Sequence, residues 1–301
     1  LGHWSCYVLG VIEELRVLGL VPHGLDAVID GNLNLGAGLS SSAALETATA
    51  LALQSLFGFD MSRIDVATLC QRVEHRYAHV MCGIMDQFAS GLGRSSHALL
   101  LDCRTLSHVN IRANLVDYRF VIISSEVKRE LASSVYNERR AQCEEGVGVF
   151  KQYDPTIASL RDVTSDLFDA YCDQLSEVVF RRCRHVITEN ARVLDASAAL
   201  AAGELLQFGR LMKASHNSLR DDFEVSCDEL DCLVAIANDT EGVLGSRMTG
   251  AGFGGCTVTL THKDALETLK AGLLSYTRRF GLYPEMFALQ GNLEAGPVSC
   301  S

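Results

Sequence analysis

The stretch "LGAGLSSSAALE", residues 35–46, joins an extended apolar run to an alanine-rich periodic one through two glycines and three consecutive serines. A connecting turn needs one glycine and an N-cap serine at most. Glycines ahead of a helix let the backbone fold tightly and come close to an anion, while the helix start offers unpaired N–H groups and partial positive charge. Serine hydroxyls add hydrogen bonds, and one of them can ligate Mg²⁺. The stretch is not a Walker A loop, because no Gly-Lys-Ser/Thr places a lysine on the phosphates. Read alone, it is either a phosphate cradle or a small-residue turn packed under another helix.

Working outward, residues 4–20 repeat their apolar positions at helical spacing, and residues 24–35 alternate apolar and polar, which predicts a half-buried strand leading into the turn. Downstream, residues 42–57 read as a buried helix. Asp60 or Ser62 caps the next, which runs to about Cys82. Gly83 breaks it, and "MDQFASGL" (85–92) starts a short new helix. "HALLLDC" (97–103) and "YRFVIIS" (118–124) read as strands, and residues from 128 to about 234 are mainly helical. A second glycine-rich link, "GSRMTGAGFGGCTVTLTH" (245–262), carries the strand "CTVTL". Strand and helix alternate in the first part, so the fold class is α/β or α+β in two packed lobes, divided here as 1–127 and 128–301.

Composition narrows the partners. The 301 residues suffice for one large domain or two medium ones. A net charge of -11 disfavours nonspecific binding to nucleic acid or an anionic membrane surface, yet leaves room for a phosphate held by local backbone dipoles. No run approaches the roughly 20 apolar residues that span a bilayer. Eleven cysteines are scattered without a Cys-x-x-Cys pair, the pattern of reduced cytosolic thiols. The first residue is Leu1, within a helical pattern that resembles neither a signal nor a transit peptide, so an N-terminal segment is expected to be missing.

Residues 35–46 resemble the second motif of the GHMP kinases, in the wording of their galactokinase branch, and "GSRMTGAGFGGCTVTL" resembles the third. "EHRYAHVMCGIMDQFAS" (74–90), "SSVYNERRAQCEE" (133–145), "RRCRHVITENARVL" (181–194) and "SHNSLRDDFEVSCDELD" (215–231) are similar to segments of the same branch, in the same order. Two departures stand out. The first motif, Gly-Glu-His-Thr-Asp-Tyr with an arginine before it, is absent, and Asn34 stands where the family usually has proline. The resemblance implies an α+β GHMP kinase fold, with a ribosomal-protein-S5-like N-terminal lobe and a ferredoxin-like C-terminal lobe.

The activity it implies is ATP-dependent phosphorylation of D-galactose at the anomeric hydroxyl, with Mg²⁺. The alternatives are a kinase for N-acetylgalactosamine or L-arabinose, or a sensor of galactose and ATP without catalysis. By resemblance, Gly36, Ala37, Gly38, Leu39, Ser40, Ser41 and Ser42 bind ATP, and Ser42 and Glu74 hold the metal, both being hard oxygen ligands. Asp86 is the catalytic base, and Gly83, Asp86 and Tyr136 contact the sugar. Gly250, Gly252 and Gly254 support the phosphate loop. Expected partners are ATP and a small sugar, with no nucleic acid or membrane, for a cytoplasmic monomer or weak dimer.

Several of these residues have plainer readings. Glu74 alone reads as a solvated helix residue paired with Arg72 or Arg76, Asp86 as an N-cap, and Tyr136 as a core or interface side chain. His75 and His79, four apart, read as a surface or core pair rather than metal ligands. The run "ERRAQCEE" (138–145) reads as a solvated helix with internal ion pairs.

Overall fold

The structure, a computed structural model, describes residues 3–21, 23–31, 33, 40–127, 132–289 and 295, without the side chains of 132–134 and 136. These fall into two compact units, one running to Ala113 and including Ala295, the other spanning 114–289. Among the described residues no helix is long and apolar enough to cross a membrane.

In the first unit, apolar residues at helical spacing bring three helices onto one core: Val11 and Leu15 of α1 (Ser5–Val17), Ala50 and Leu53 of α2 (Ser41–Phe57), and Val66, Leu69 and Val73 of α3 (Arg63–Val73). Each of the valines and leucines contributes about 1.5–3 kcal/mol on burial. Gly10 lets α1 press against α3, because a Cβ there would lie 2.5 Å from a Val73 methyl. Ser62, rather than Asp60, caps α3, its Oγ accepting from the Asp65 N–H at 3.1 Å. The helix does not continue to Cys82. It loosens into a π-helical turn, Glu74–Ala78, closed by His79 in the left-handed region (φ 58°). After the irregular residues 80–84, α4 (Met85–Leu92) begins, and Ile84 and Phe88 pack on Ala67 of α3. Strands β1 (His97–Leu101) and β2 (His108–Arg112) form an antiparallel hairpin.

The expected strand at 24–35 is a correction. Residues 23–31 and 33 form no strand, and Val28 is 98% exposed. An alternating pattern becomes a strand only when a neighbour completes its hydrogen-bond ladder, and among the described residues none pairs with this segment.

The second unit is built on an antiparallel sheet in the order β4 (Val243–Thr249), β5 (Cys256–His262), β3 (Tyr118–Ser124), β6 (Glu285–Ala288). Its chain order is strand, helices, two strands, helix, strand, the split β-α-β pattern of a ferredoxin-like lobe. Helices α9 (Asp228–Asp239) and α10 (Leu266–Phe280) pack Leu233, Ala237, Leu269 and Leu273 against Val121 and Ile123 of the sheet. Helix α8 (Leu205–Asp221) lies directly on β4, where a Cβ on Gly245 would meet the Gly209 carbonyl oxygen at 2.2 Å. Helices α5 (Ala132–Phe150), α6 (Ser165–Tyr171) and α7 (Glu177–Ala202) enclose a separate core around Phe150, Phe168 and Cys183.

The compact units divide at 113/114, with residues 118–124 wholly in the second. Strand β3 is the reason: its ladder runs to β5 and β6, more than a hundred residues further along the chain, a pairing that local periodicity does not reveal. Strand β4 was likewise hidden inside what reads as a glycine-rich link. In the "ERRAQCEE" run, Arg140 pairs with Glu144 at 2.9 Å as expected of a solvated helix. Arg139 differs. It is buried and donates to the carbonyls of Phe223 (2.8 Å) and Glu224 (3.2 Å), and buried Arg182 joins it by donating to the Asp222 carbonyl.

Candidate active site

The first-unit residues singled out by sequence come together around the start of α2. Ser40 precedes the helix in the left-handed conformation (φ 55°), and its side chain does not cap the helix. The N–H groups of the first turn, at Ser41 and Ser42, are thus not capped by Ser40 and carry the partial positive charge of a helix start. Gly36, Ala37, Gly38 and Leu39 lie outside the described residues, as does Asn34.

Glu74 opens the π-helical turn and is buried (4% exposed). The plain reading, an ion pair with Arg72 or Arg76, fails: both arginines reach Glu14 of α1 instead, at 3.1 and 2.9 Å. Burial raises the Glu74 carboxyl above its ordinary value, the Ser42 hydroxyl pulls it down by hydrogen bonding, and the Asp86 charge raises it again. The His75 imidazole beside it pulls the carboxyl down again, so a hydroxyl, two carboxylates and a histidine act on one locus. Its hard oxygen groups fit a divalent cation.

Asp86 sits half-buried in the first turn of α4, where the helix dipole favours a carboxylate. Gly83, three residues earlier, is exposed, and a Cβ added there would meet nothing within 4 Å. Its φ lies outside the left-handed region, so neither packing nor backbone conformation demands glycine at this position. Close approach of a ligand remains as a physical reason for it.

Behind these groups lies a residue that sequence reasoning missed. Glu46, one turn after Ser42 on α2, is fully buried, and burial followed by the Glu74 charge pushes its carboxyl up to about 9. No local signal marks it, since a lone glutamate on an alanine-rich helix reads as its solvent face. The unfolded carboxyl, with an ordinary value of 4.5, releases its proton far earlier than the folded one. The folded chain therefore binds more protons between those values, and stability falls as pH rises across that window. Glu46→Gln keeps the shape with no proton to lose. The variant is expected to be more stable than the wild type at pH 7 by on the order of 2–3 kcal/mol, with the gap narrowing towards pH 5. Urea denaturation at the two pH values checks this, and a gap independent of pH would contradict it.

The remaining candidates belong to the second unit. Tyr136 lies in α5, its side chain outside the described residues. Gly250, Gly252 and Gly254 all have positive φ in the turn between β4 and β5. Within that turn the Phe253 N–H donates to the Val225 carbonyl at 2.8 Å, and a Cβ on Gly254 would meet the Val127 carbonyl oxygen at 2.8 Å. Packing inside the unit therefore accounts for glycine at 252 and 254. His75, of the histidine pair, hydrogen-bonds the Cys82 carbonyl through Nε2 at 3.0 Å.

With this geometry in place, known proteins agree. Residues 6–94 match the GHMP kinases N terminal domain and residues 196–277 the GHMP kinases C terminal family. A galactokinase of Halalkalibacterium halodurans is 42% identical over 289 residues, spanning 95% of this chain and 73% of its own length. Another, from Roseiflexus sp., is 44% identical over 270 residues, spanning 90% and 69%. The chain belongs to the galactokinase family. In agreement, the crystal structure of Lactococcus lactis galactokinase complexed with galactose matches at a TM-score of 0.89 and 38% identity, covering 97% of this chain and 76% of that one. The fold expected from the motifs, a GHMP kinase with N- and C-terminal domains, is thereby the fold of this chain.

Proposed function

We propose that this member of the galactokinase family transfers the γ-phosphoryl group of ATP to the anomeric hydroxyl of D-galactose, yielding galactose 1-phosphate and ADP. The observation that carries the reading is the buried Glu74 carboxyl acting on Ser42 and Asp86 at the start of α2. The Ser42 hydroxyl and Glu74 carboxylate are the groups to hold Mg²⁺, which when bound neutralises phosphate charge. The first-turn N–H groups of α2 bind phosphate oxygens, and the resemblance gives Gly36, Ala37, Gly38 and Leu39 the same ligand. Asp86 orients the anomeric hydroxyl and takes its proton as the oxygen attacks, while Gly83 lets the backbone lie against the sugar. For a carboxylate base at neutral pH, positioning counts for more than basicity. The parts given to Tyr136 and to Gly250, Gly252 and Gly254 rest on the resemblance alone.

ADP release with Mg-ATP and a panel of D-galactose, N-acetylgalactosamine, L-arabinose and D-glucose tests the reading. Turnover is expected to depend on sugar and to be fastest with galactose. Preference for another sugar would correct the substrate, and no sugar-dependent turnover would overturn the assignment.

A further inference from the structure

The segment that carries the sugar side of the proposed site has little to hold it. Residues 79–83 have no regular secondary structure, and Val80, Met81 and Gly83 are exposed. Segments so poor in buried apolar contacts open at low free-energy cost. Ile84 anchors the far end in the Ala67 and Phe88 cluster. The near end is held differently. Gln71 Nε2 on α3 and His75 Nε2 on the π-helical turn both donate to one acceptor, the Cys82 carbonyl oxygen, at 3.2 and 3.0 Å.

Residues four apart share a helix face, and one carbonyl has two lone pairs, so both donors are accommodated at once. Donation to a carbonyl places a proton on His75 Nε2. The Gln87 amide reaches the Cys82 sulfur at 3.8 Å from the other side, a weaker contact. Two further backbone bonds shape the segment: Val80 N–H to the Glu74 carbonyl at 3.0 Å, and Cys82 N–H to the Val80 carbonyl at 2.9 Å. The Cys82 carbonyl belongs to the peptide that leads into Gly83, and Asp86 follows three residues later. The helix face that presents Glu74 thus also fixes where Gly83 and Asp86 begin.

We infer that Gln71 and His75 are positioning residues: their convergent hydrogen bonds on the Cys82 carbonyl hold the turn that presents Gly83 and Asp86 to the sugar. The role in turnover rests on the proposed kinase reading, whereas the pin itself does not. The variants are His75→Phe and Gln71→Leu, singly and together, with His75→Gln as the conservative replacement that keeps an N–H donor. Two readouts are used on the full chain: amide hydrogen exchange across residues 81–85, which needs no activity, and steady-state kinetics varying galactose and ATP separately.

In the double variant, exchange at 81–85 is expected to quicken by about tenfold, a few-fold in each single variant. The value of kcat/KM for galactose should fall by roughly tenfold or more, with KM for ATP within about twofold of wild type. His75→Gln should recover most of both. Unchanged exchange would overturn the pin. Faster exchange with unchanged kinetics, with KM for ATP raised well beyond twofold, or without recovery in His75→Gln would overturn the positioning role. Should the double variant fail to fold, the single variants carry the same comparison. A wild-type chain without galactose turnover would instead overturn the proposed function, and the exchange comparison would still support or overturn the pin.

Discussion

Asp86→Asn is expected to lower kcat for galactose phosphorylation by about 10²–10⁴-fold, the usual worth of a positioned general base. Asparagine preserves the half-buried volume and can still hydrogen-bond the sugar, but it cannot accept the hydroxyl proton. Stability should change little. Losing a carboxylate from the first turn of α4 costs about 0.3–1 kcal/mol. The same change removes the charge that raises the buried Glu74 carboxyl, which offsets part of that loss. Initial rates at saturating galactose and ATP, beside a thermal melt, check the prediction. A folded variant with undiminished kcat would remove Asp86 from the chemistry.

Gly252→Ala is expected to destabilise the chain by about 3–5 kcal/mol, a large share of the roughly 5–15 kcal/mol that holds a typical domain together. Two costs add. At φ +88° an L residue is strained by about 1–2 kcal/mol. Its Cβ would also stand 2.0 Å from the Val225 carbonyl oxygen, a backbone atom that cannot rotate away. Val225 cannot yield easily, because Arg139 and Arg182 clamp the preceding residues 222–224 by their carbonyls. Gly281→Ala is the matched control, with φ +70° and nothing within 4 Å, and should cost only about 1 kcal/mol. Denaturation midpoints of the two variants settle the comparison. Equal losses would mean that the close approach to Val225 is not limiting.

What the sequence discloses of this fold follows how local each feature is. The serine-led start of α2 and the short helix from Met85 are set within a few residues, and the structure has them where the pattern places them, whereas the preceding helix ends at His79 and not at the expected Gly83. The ladder from Tyr118–Ser124 to Cys256–His262 is set by partners far along the chain, so periodicity near Tyr118 does not disclose which unit the strand joins. Residues 24–35 show the reverse case: an alternating pattern states which face wants burial but not whether a partner strand exists. Ser42, Glu74 and Asp86 were singled out because long motifs carry them, and the structure brings the three together. The burial of Glu46, the diversion of Arg72 and Arg76 to Glu14, and the pin on the Cys82 carbonyl were not legible in the sequence. Each depends on which helix faces meet, and spacing along one helix is silent on that.

The most direct test is phosphorus NMR of the products formed by this chain from Mg-ATP and D-galactose. The predicted result is loss of the ATP γ resonance matched one for one by a sugar phosphate resonance split by a single anomeric proton. Inorganic phosphate in its place, or a resonance split by two protons as a phosphate on a CH₂ carbon would show, would contradict transfer to the anomeric oxygen.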